Sequence, residues 1–280
     1  MAAPWPHRER AMIALLEPLF QGDLAPHGEA LQCAAQPPAG ALRVADLVRS
    51  PDLLDRVLRQ HAAHLGVEGE DLRAVASAWS LDYLGMLLPP AAAAASVLQH
   101  VFPMAADQVW VRLDAHAHPL SFHIRELGRP QRGASTAERY AVLLRGHLEP
   151  LFQALRQRTG IAAKILWGNA ARNLEPVLDQ ALALTGGSPP IALDRQQLLH
   201  NPDWVTSSPS SDAADATNAI NAINAAEMAW TNPLPGPQRE IRVRFEGHDH
   251  AVKLHRQCCL FHLLPGEGYC GVCPLSPAHR

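Results

Sequence analysis

Apolar positions first recur at helical spacing in residues 8 to 21, where Met12, Leu15, Leu16, Leu19 and Phe20 share a face and Pro18 interrupts it. Beyond the loop at Gln36-Pro37-Pro38, apolar Leu42 to Val48 leads into Ser50-Pro51-Asp52, an N-cap followed by a first-turn proline. That signature predicts a helix to about Leu65, ended by Gly66. From Asp71 a third helix lines up Leu72, Val75, Trp79, Tyr83 and Met86, and Pro89-Pro90 is expected to terminate it. The alanine run 91 to 95 then opens another apolar helical stretch toward Phe102.

The period changes to two at Val109, Val111 and Leu113, and again at Leu120, Phe122 and Ile124, which predicts a hairpin turning through residues 115 to 119. Asp114, His116 and His118 would share one face if that turn were extended, a possible second metal site set against chance grouping among fifteen histidines. Ser135-Thr136-Ala137-Glu138 is a capping box that starts a long helix. A second long helix, Ile161 to Leu184, stops at Gly186-Gly187. Alternation returns in Ile241, Val243 and Phe245, then in Val252 and Leu254, so a second hairpin delivers the chain to Cys258. Between these parts, residues 206 to 226 are polar and low in complexity.

The 280 residues suffice for a sizeable core, and the formal charge of -3 argues against a nucleic-acid binder. No apolar run reaches the length of a bilayer span, and the N-terminus lacks a secretory pattern, so a cytoplasmic or peripheral protein is expected. No G-x-G-x-x-G follows a strand, so no nicotinamide or flavin site is visible. Four of five cysteines cluster near the C-terminus, which fits a reducing compartment better than a disulfide framework. The fifth, Cys33, lies in a Pro/Ala-rich stretch and is read as inert.

Cys258 and Cys259 are adjacent, ten residues separate Cys259 from Cys270, and Cys270 and Cys273 form a C-x-x-C pair. Four thiolates complete either a tetrahedral zinc site or the two irons of a 2Fe-2S cluster. Adjacent residues on a strand point to opposite faces, so the doublet suits the wider two-iron cluster better than one small ion. Pro265-Gly266-Glu267-Gly268 is a turn signal that returns the second pair toward the first.

The order Arg256-x-Cys258-Cys259-Leu260, then Leu264-Pro265-Gly266-x-Gly268-Tyr269-Cys270-Gly271-x-Cys273-Pro274-Leu275, closely resembles the C-terminal signature of the FhuF-like ferric-siderophore reductases. The resemblance implies a 2Fe-2S cluster on Cys258, Cys259, Cys270 and Cys273, and one-electron reduction of siderophore-bound iron(III) in the cytoplasm. It further implies a ferric siderophore of the hydroxamate type as substrate, an external donor such as a ferredoxin or flavin reductase, and peripheral contact with the inner membrane.

Leu166-Trp167-Gly168-Asn169 resembles a recurring stretch of the same family. Trp167 and Asn169 are expected either to pack between helices or to stand beside the chelate. Arg256 is expected to hold an anionic chelate or raise the cluster potential, against the plainer reading of a surface salt bridge. The fold class expected is α+β: a predominantly helical body with a small antiparallel sheet and a C-terminal four-cysteine iron-sulfur module. Its parts are the body at 1–205, a linker or insertion at 206–237 and the cluster module at 238–280. The competing functions are a structural zinc protein and a siderophore-binding protein without redox activity.

Overall fold

A computed structural model describes residues 12–203, 230–245 and 248–279. Its helices are α1 (Ala25–Glu29), α2 (Val44–Arg49), α3 (Pro51–His64), α4 (Arg73–Ser96), α5 (Thr136–Leu143), α6 (Glu149–Thr159), α7 (Ala163–Leu184) and α8 (Pro189–Leu199). Its strands are β1 (Leu31–Cys33), β2 (Leu42–Arg43), β3 (His100–Val101), β4 (Val109–Leu113), β5 (Pro119–Ile124), β6 (Arg129–Pro130), β7 (Glu240–Phe245) and β8 (His248–Lys253). The α+β architecture read from the sequence is the one observed.

The two longest helices, α4 and α7, pack against each other at the centre of the body. Almost every residue of α4 from Ala74 to Ser96 is buried, and its many alanines let neighbouring backbones approach closely. Asn169 on α7 is 1% exposed and turns its amide onto α4, donating to Ser77 Oγ and Ser80 Oγ at 3.0 Å each and to the Ser77 carbonyl at 3.3 Å. Leaving that amide unpaired in the core would cost about 1–3 kcal/mol.

Two predicted boundaries are corrected. Pro89 and Pro90 do not end the third helix: α4 runs through both to Ser96. A proline removes one helical hydrogen bond and crowds the preceding turn, but here apolar burial on both sides of the pair holds the helix together. In the predicted first helix, residues 8 to 11 lie outside the described residues, and 12 to 20 form turns with i to i+3 bonds such as Leu16 N to Ile13 O. Pro18 has no N–H for a continuous ladder; Ile13, Leu16 and Phe20 are nevertheless buried, as their spacing required.

The hairpin of β4 and β5 forms as expected, and β1 and β2 extend it to a four-stranded sheet of order β1-β5-β4-β2. β1 joins β5 in parallel, a pairing that strand alternation alone could not reveal. The capping box at Ser135 and Glu138 is present in full. The helix it starts passes through a π-turn, Leu144–Leu148, before α6. The Gly146 carbonyl there accepts from the Ala106 N–H, outside the helix, at 2.9 Å. This is the kind of diversion that accompanies a π-bulge.

Several polar groups in the core are paired across elements. Asp194 on α8 is fully buried and accepts from Ser96 Oγ, Thr136 Oγ1 and the Arg139 guanidinium, tying α4, α5 and α8 together. His147 Nδ1–H donates to the Met104 carbonyl at 2.8 Å, so its Nε2 accepts from the Tyr83 hydroxyl at 2.6 Å. The segment 206 to 226 lies outside the described residues. Just beyond it, Asn232 donates to the carbonyls of Gln197, Leu198 and Asn201, and Leu234 is buried, so residues 232 to 234 are pinned to α8 and its C-terminal end.

Burial depresses His147 to about 4. The unfolded chain, with a histidine near 6.5, then binds more protons than the folded one between pH 6.5 and 4, so stability rises with pH across that window and falls on acidification. Urea midpoints measured from pH 7 to pH 4.5 should drop, with His147 contributing up to roughly 3 kcal/mol of the loss. The slope should flatten in His147→Gln, and an unchanged slope there would assign the loss to other groups, such as His123 and His255, which burial also lowers to about 4.

Candidate metal centre

The β7–β8 hairpin pairs Glu240 with Lys253 through Phe245 with His248 and hands the chain to Leu254, which is fully buried. The next residues lie along α7. A Cβ at Gly168 would sit 2.6 Å from Gln257 Cβ, so only glycine admits the segment this close. One turn further along α7, Arg172 Nη2 donates to the Gln257 carbonyl at 3.0 Å. Together these contacts fix the residue immediately before the cysteine doublet.

The doublet then turns. Leu260 adopts φ 61°, a left-handed conformation rarely taken by a leucine, and a short 3-10 turn, Phe261–Leu263, follows. Glu267 N to Leu264 O closes the predicted Pro265-Gly266 turn, with Gly266 at φ 75°. Cys273 N bonds to Cys270 O at 3.0 Å inside the C-x-x-C, and His255 N bonds to Val272 O at 3.0 Å, joining the two ends of the segment.

Cys258, Cys259 and Cys273 are buried, Cys270 is partly open, and all four are free thiols. Cys258 and Cys273 Sγ lie 3.7 Å apart. Burial pushes the Cys258 thiol up to about 11; the Leu260 amide pulls against this, while Cys273 and Cys259 add to it. Cys270 is raised by burial, then by Cys259 and Cys273. Cys258 and Cys270 are thus both disfavoured as thiolates, and ionise together only beside a compensating positive charge. Soft, uncrosslinked donors in one segment, two of them in contact, fit a thiolate-bound iron core, so the residues present suit a 2Fe-2S cluster.

Two nitrogens face Cys258. Leu260 N–H points at its sulfur from 3.4 Å, and His262 Nδ1 lies 3.6 Å away, with the His262 ring stacked on Tyr269 at 4.3 Å between centroids. Such N–H to sulfur contacts tune cluster potential. Tyr269, Leu263 and Leu275 around the cysteines are exposed, at 45%, 56% and 50%.

Arg256 is not at the surface. Its side chain is 4% exposed, Nη1 pairs with Glu175 Oε2 at 2.8 Å, and Nη2 faces the Leu199 carbonyl at 3.5 Å. The expected surface salt bridge is thus a buried ion pair that docks the cysteine segment onto α7 and α8. Trp167 is 8% exposed, edge-on to Phe152 at 4.8 Å and near Trp230 at 6.1 Å. With Asn169 committed to α4, neither side chain presents an open face to a chelate. Sequence reading passed over Arg172 and His262; only the positions of both, one turn from Gly168 and four residues from Cys258, hinted at them. Cys33 is exposed at the end of β1, with its thiol raised by burial and by Glu126, so it lacks thiolate character.

Residues 77–213 match the family model described as ferric iron reductase FhuF-like transporter, and residues 256–275 match the FhuF 2Fe-2S C-terminal domain. No curated protein matches the chain. Among solved structures, the fold is similar to ATP-bound aerobactin synthetase IucA from a hypervirulent pathotype of Klebsiella pneumoniae. Identity is 16% and the TM-score 0.50, over 70% of this chain and 37% of that one. A second structure of that synthetase matches at 15% identity and a TM-score of 0.49, over 70% and 38%. The chain thus spans little more than a third of the synthetase, and the likeness is one of fold. No described helix is long and apolar enough to cross a membrane.

In Gly168→Ala two effects oppose. Alanine favours the helix by about 1 kcal/mol, while forcing a Cβ into Gln257 costs about 1–3 kcal/mol and displaces the start of the doublet. The clash should win: thermal midpoint and visible absorbance per chain should both fall. A raised midpoint with full absorbance would mean that Gln257 yields without cost.

Proposed function

Because the chain belongs to the FhuF-like ferric iron reductase family, we propose that it is a ferric-siderophore reductase whose Cys258, Cys259, Cys270 and Cys273 hold the 2Fe-2S cluster. The observation that carries this reading is that four free thiols, with Cys258 and Cys273 Sγ 3.7 Å apart, lie in one segment docked against α7 by Gly168, Arg172 and the Arg256–Glu175 pair. A bound cluster supplies one-electron chemistry. Siderophores hold iron(III) through hard oxygen donors, and one electron converts it to iron(II), which those donors hold far less tightly. The products are iron(II) and the free chelator, so neither nucleophile nor general base is required.

The protein's residues divide the remaining work. Cys258, Cys259 and Cys273 lie under cover and exclude water, while Cys270 stands nearer the surface. The Leu260 amide directs a positive dipole at Cys258 sulfur, and His262 adds a second in the tautomer that carries its proton on Nδ1; both favour the reduced, more negative state. Exposed Leu263, Tyr269 and Leu275 frame the approach to the cysteines and offer a contact face to a donor or chelate. The electron donor on this reading is a separate ferredoxin or flavin reductase, the siderophore is of the hydroxamate type, and the site of action is the cytoplasm. On this reading residues 1–205 form the body and 238–280 the cluster module, and 206–237 connect them, with 232–234 packed back against α8.

Anaerobically purified protein should carry two irons and two sulfides per chain, bleach with dithionite and give a reduced-state EPR signal. Replacing Cys258, Cys259, Cys270 or Cys273 singly by alanine should abolish the signal and lower trapping of iron(II) from a ferric hydroxamate by about tenfold or more, a loss of about 1.4 kcal/mol or more in transition-state terms. Colourless protein with one zinc per chain that resists reconstitution with iron and sulfide would overturn the reductase reading.

A further inference from the structure

A second group of metal-binding side chains lies away from the cysteines, where α3, α4 and the β4–β5 turn meet. The turn is held firmly. Asp114 Oδ1 accepts from the backbone N–H of His116 at 2.7 Å and of His118 at 2.9 Å, and Ala117 takes φ 62°. Three successive carbonyls are then engaged from the helices: Ala115 by Gln60 Nε2 at 2.6 Å, His116 by His61 Nδ1 at 3.4 Å and Ala117 by Trp79 Nε1 at 3.0 Å. The Asp114, His116, His118 trio raised by sequence spacing is therefore not the site, because Asp114 is spent capping the turn. Only His118 faces new partners.

Those partners are His61, at the end of α3, and Asp82, in the middle of α4. One ligand atom from each of His61, Asp82 and His118 lies within 4.8 Å of the others. His118 Nδ1 is 3.1 Å from Asp82 Oδ2, and His61 Nε2 is 3.9 Å from the same oxygen. Around one ion with bonds of about 2.0–2.2 Å, ligand atoms stand roughly 3–4 Å apart, so these separations need little adjustment.

The decisive atom is His61 Nε2. The ring is 1% exposed, and this nitrogen has no hydrogen-bond partner. A carbonyl can only accept, so the bond to His116 places the ring proton on Nδ1 and leaves Nε2 with an open lone pair aimed toward Asp82 and His118. A histidine that donates one nitrogen to a backbone carbonyl and frees the other is arranged as metal-ligating histidines are. Read as a core histidine beside a surface Asp82–His118 hydrogen bond, the group leaves that lone pair unexplained.

We propose that His61, Asp82 and His118 bind one divalent first-row transition-metal ion, ferrous iron or zinc, with the remaining positions filled by water. Two imidazoles and one carboxylate suit either ion and disfavour calcium or magnesium, which take oxygen ligands. The Asp82 and His118 side chains are 43% and 31% exposed, so an ion can enter and exchange from solvent. His64 stacks on His116 at 4.4 Å and meets His118 edge-on at 4.9 Å, walling one side. The site stands on these residues alone and does not depend on the cysteine cluster.

The test uses the full chain with its cluster, stripped of loosely held metal on a chelating resin. Equilibrium dialysis against zinc, and anaerobically against ferrous iron, is followed by elemental counting of metal beyond the cluster's own content. One added ion per chain is expected in at least one arm, and that arm names the occupant. Asp82→Asn and His118→Ala, both at partly exposed side chains, should weaken binding about tenfold or more, while His116→Ala should change it less than about twofold. X-ray absorption at the zinc edge should show nitrogen and oxygen neighbours; sulfur neighbours would place the zinc on the cysteines and overturn the proposal. No added ion in either arm, or binding untouched by both Asp82→Asn and His118→Ala, would also overturn it.

Discussion

One side-chain amide sets the register on which the structure depends. Asn169 joins α7 to Ser77 and Ser80 of α4 inside a dry, alanine-rich contact, where a slip would leave several polar groups unpaired. Successive helical residues differ by about 100° in direction, so once Asn169 faces α4 its neighbours are assigned as well. Gly168 meets Gln257, and Trp167 meets Phe152 and Trp230. Arg172, just over one turn on from Gly168, reaches the Gln257 carbonyl. A single tetrapeptide thus serves three different neighbours, and the cysteine segment is placed by the same constraint that builds the core.

The cysteine segment needs such placement because it has little core of its own. β8 is mostly exposed, and beyond it the buried apolar contributions are chiefly Leu254, Leu264 and the cysteines themselves. A stretch this short does not bury enough surface to stand alone, and small modules of this kind draw stability from metal or from a larger neighbour. The Arg256–Glu175 pair is better understood as fixing alignment than as adding net stability. Desolvating two charges offsets much of their attraction, yet removing either partner would leave the other buried and unpaired. Arg195 also approaches Glu175, at 3.4 Å, so the carboxylate is shared by cations from α8 and from the cysteine segment.

Much of this was legible in the sequence, for physical reasons that can be named. The Ser135 capping box, the Ser50-Pro51 helix start and the two hairpins are local signals whose partners lie within a few residues, and each appears where expected. The cysteine spacing and the Pro265-Gly266 turn are local in the same way. What failed were local rules overruled by tertiary burial: Pro89-Pro90 stays helical because residues on both sides are enclosed, and Arg256 is buried because Glu175, 81 positions earlier, meets it there. Alternation placed His116 and His118 in a turn but could not show that α3 and α4 supply His61 and Asp82.

α4 binds these observations into one frame. Within six residues, Ser77 and Ser80 receive the Asn169 amide, Trp79 holds the Ala117 carbonyl of the β4–β5 turn, and Asp82 faces His118. The helix therefore positions α7, and through it the cysteines, on some of its residues and the histidines on others. The donor sets differ in kind: thiolates are soft and imidazole with carboxylate is borderline to hard, so on the two proposals above the groups would favour different metal species. A rigid, buried helix keeps each set at fixed geometry, and geometry and donor type, more than raw affinity, decide which metal a site accepts.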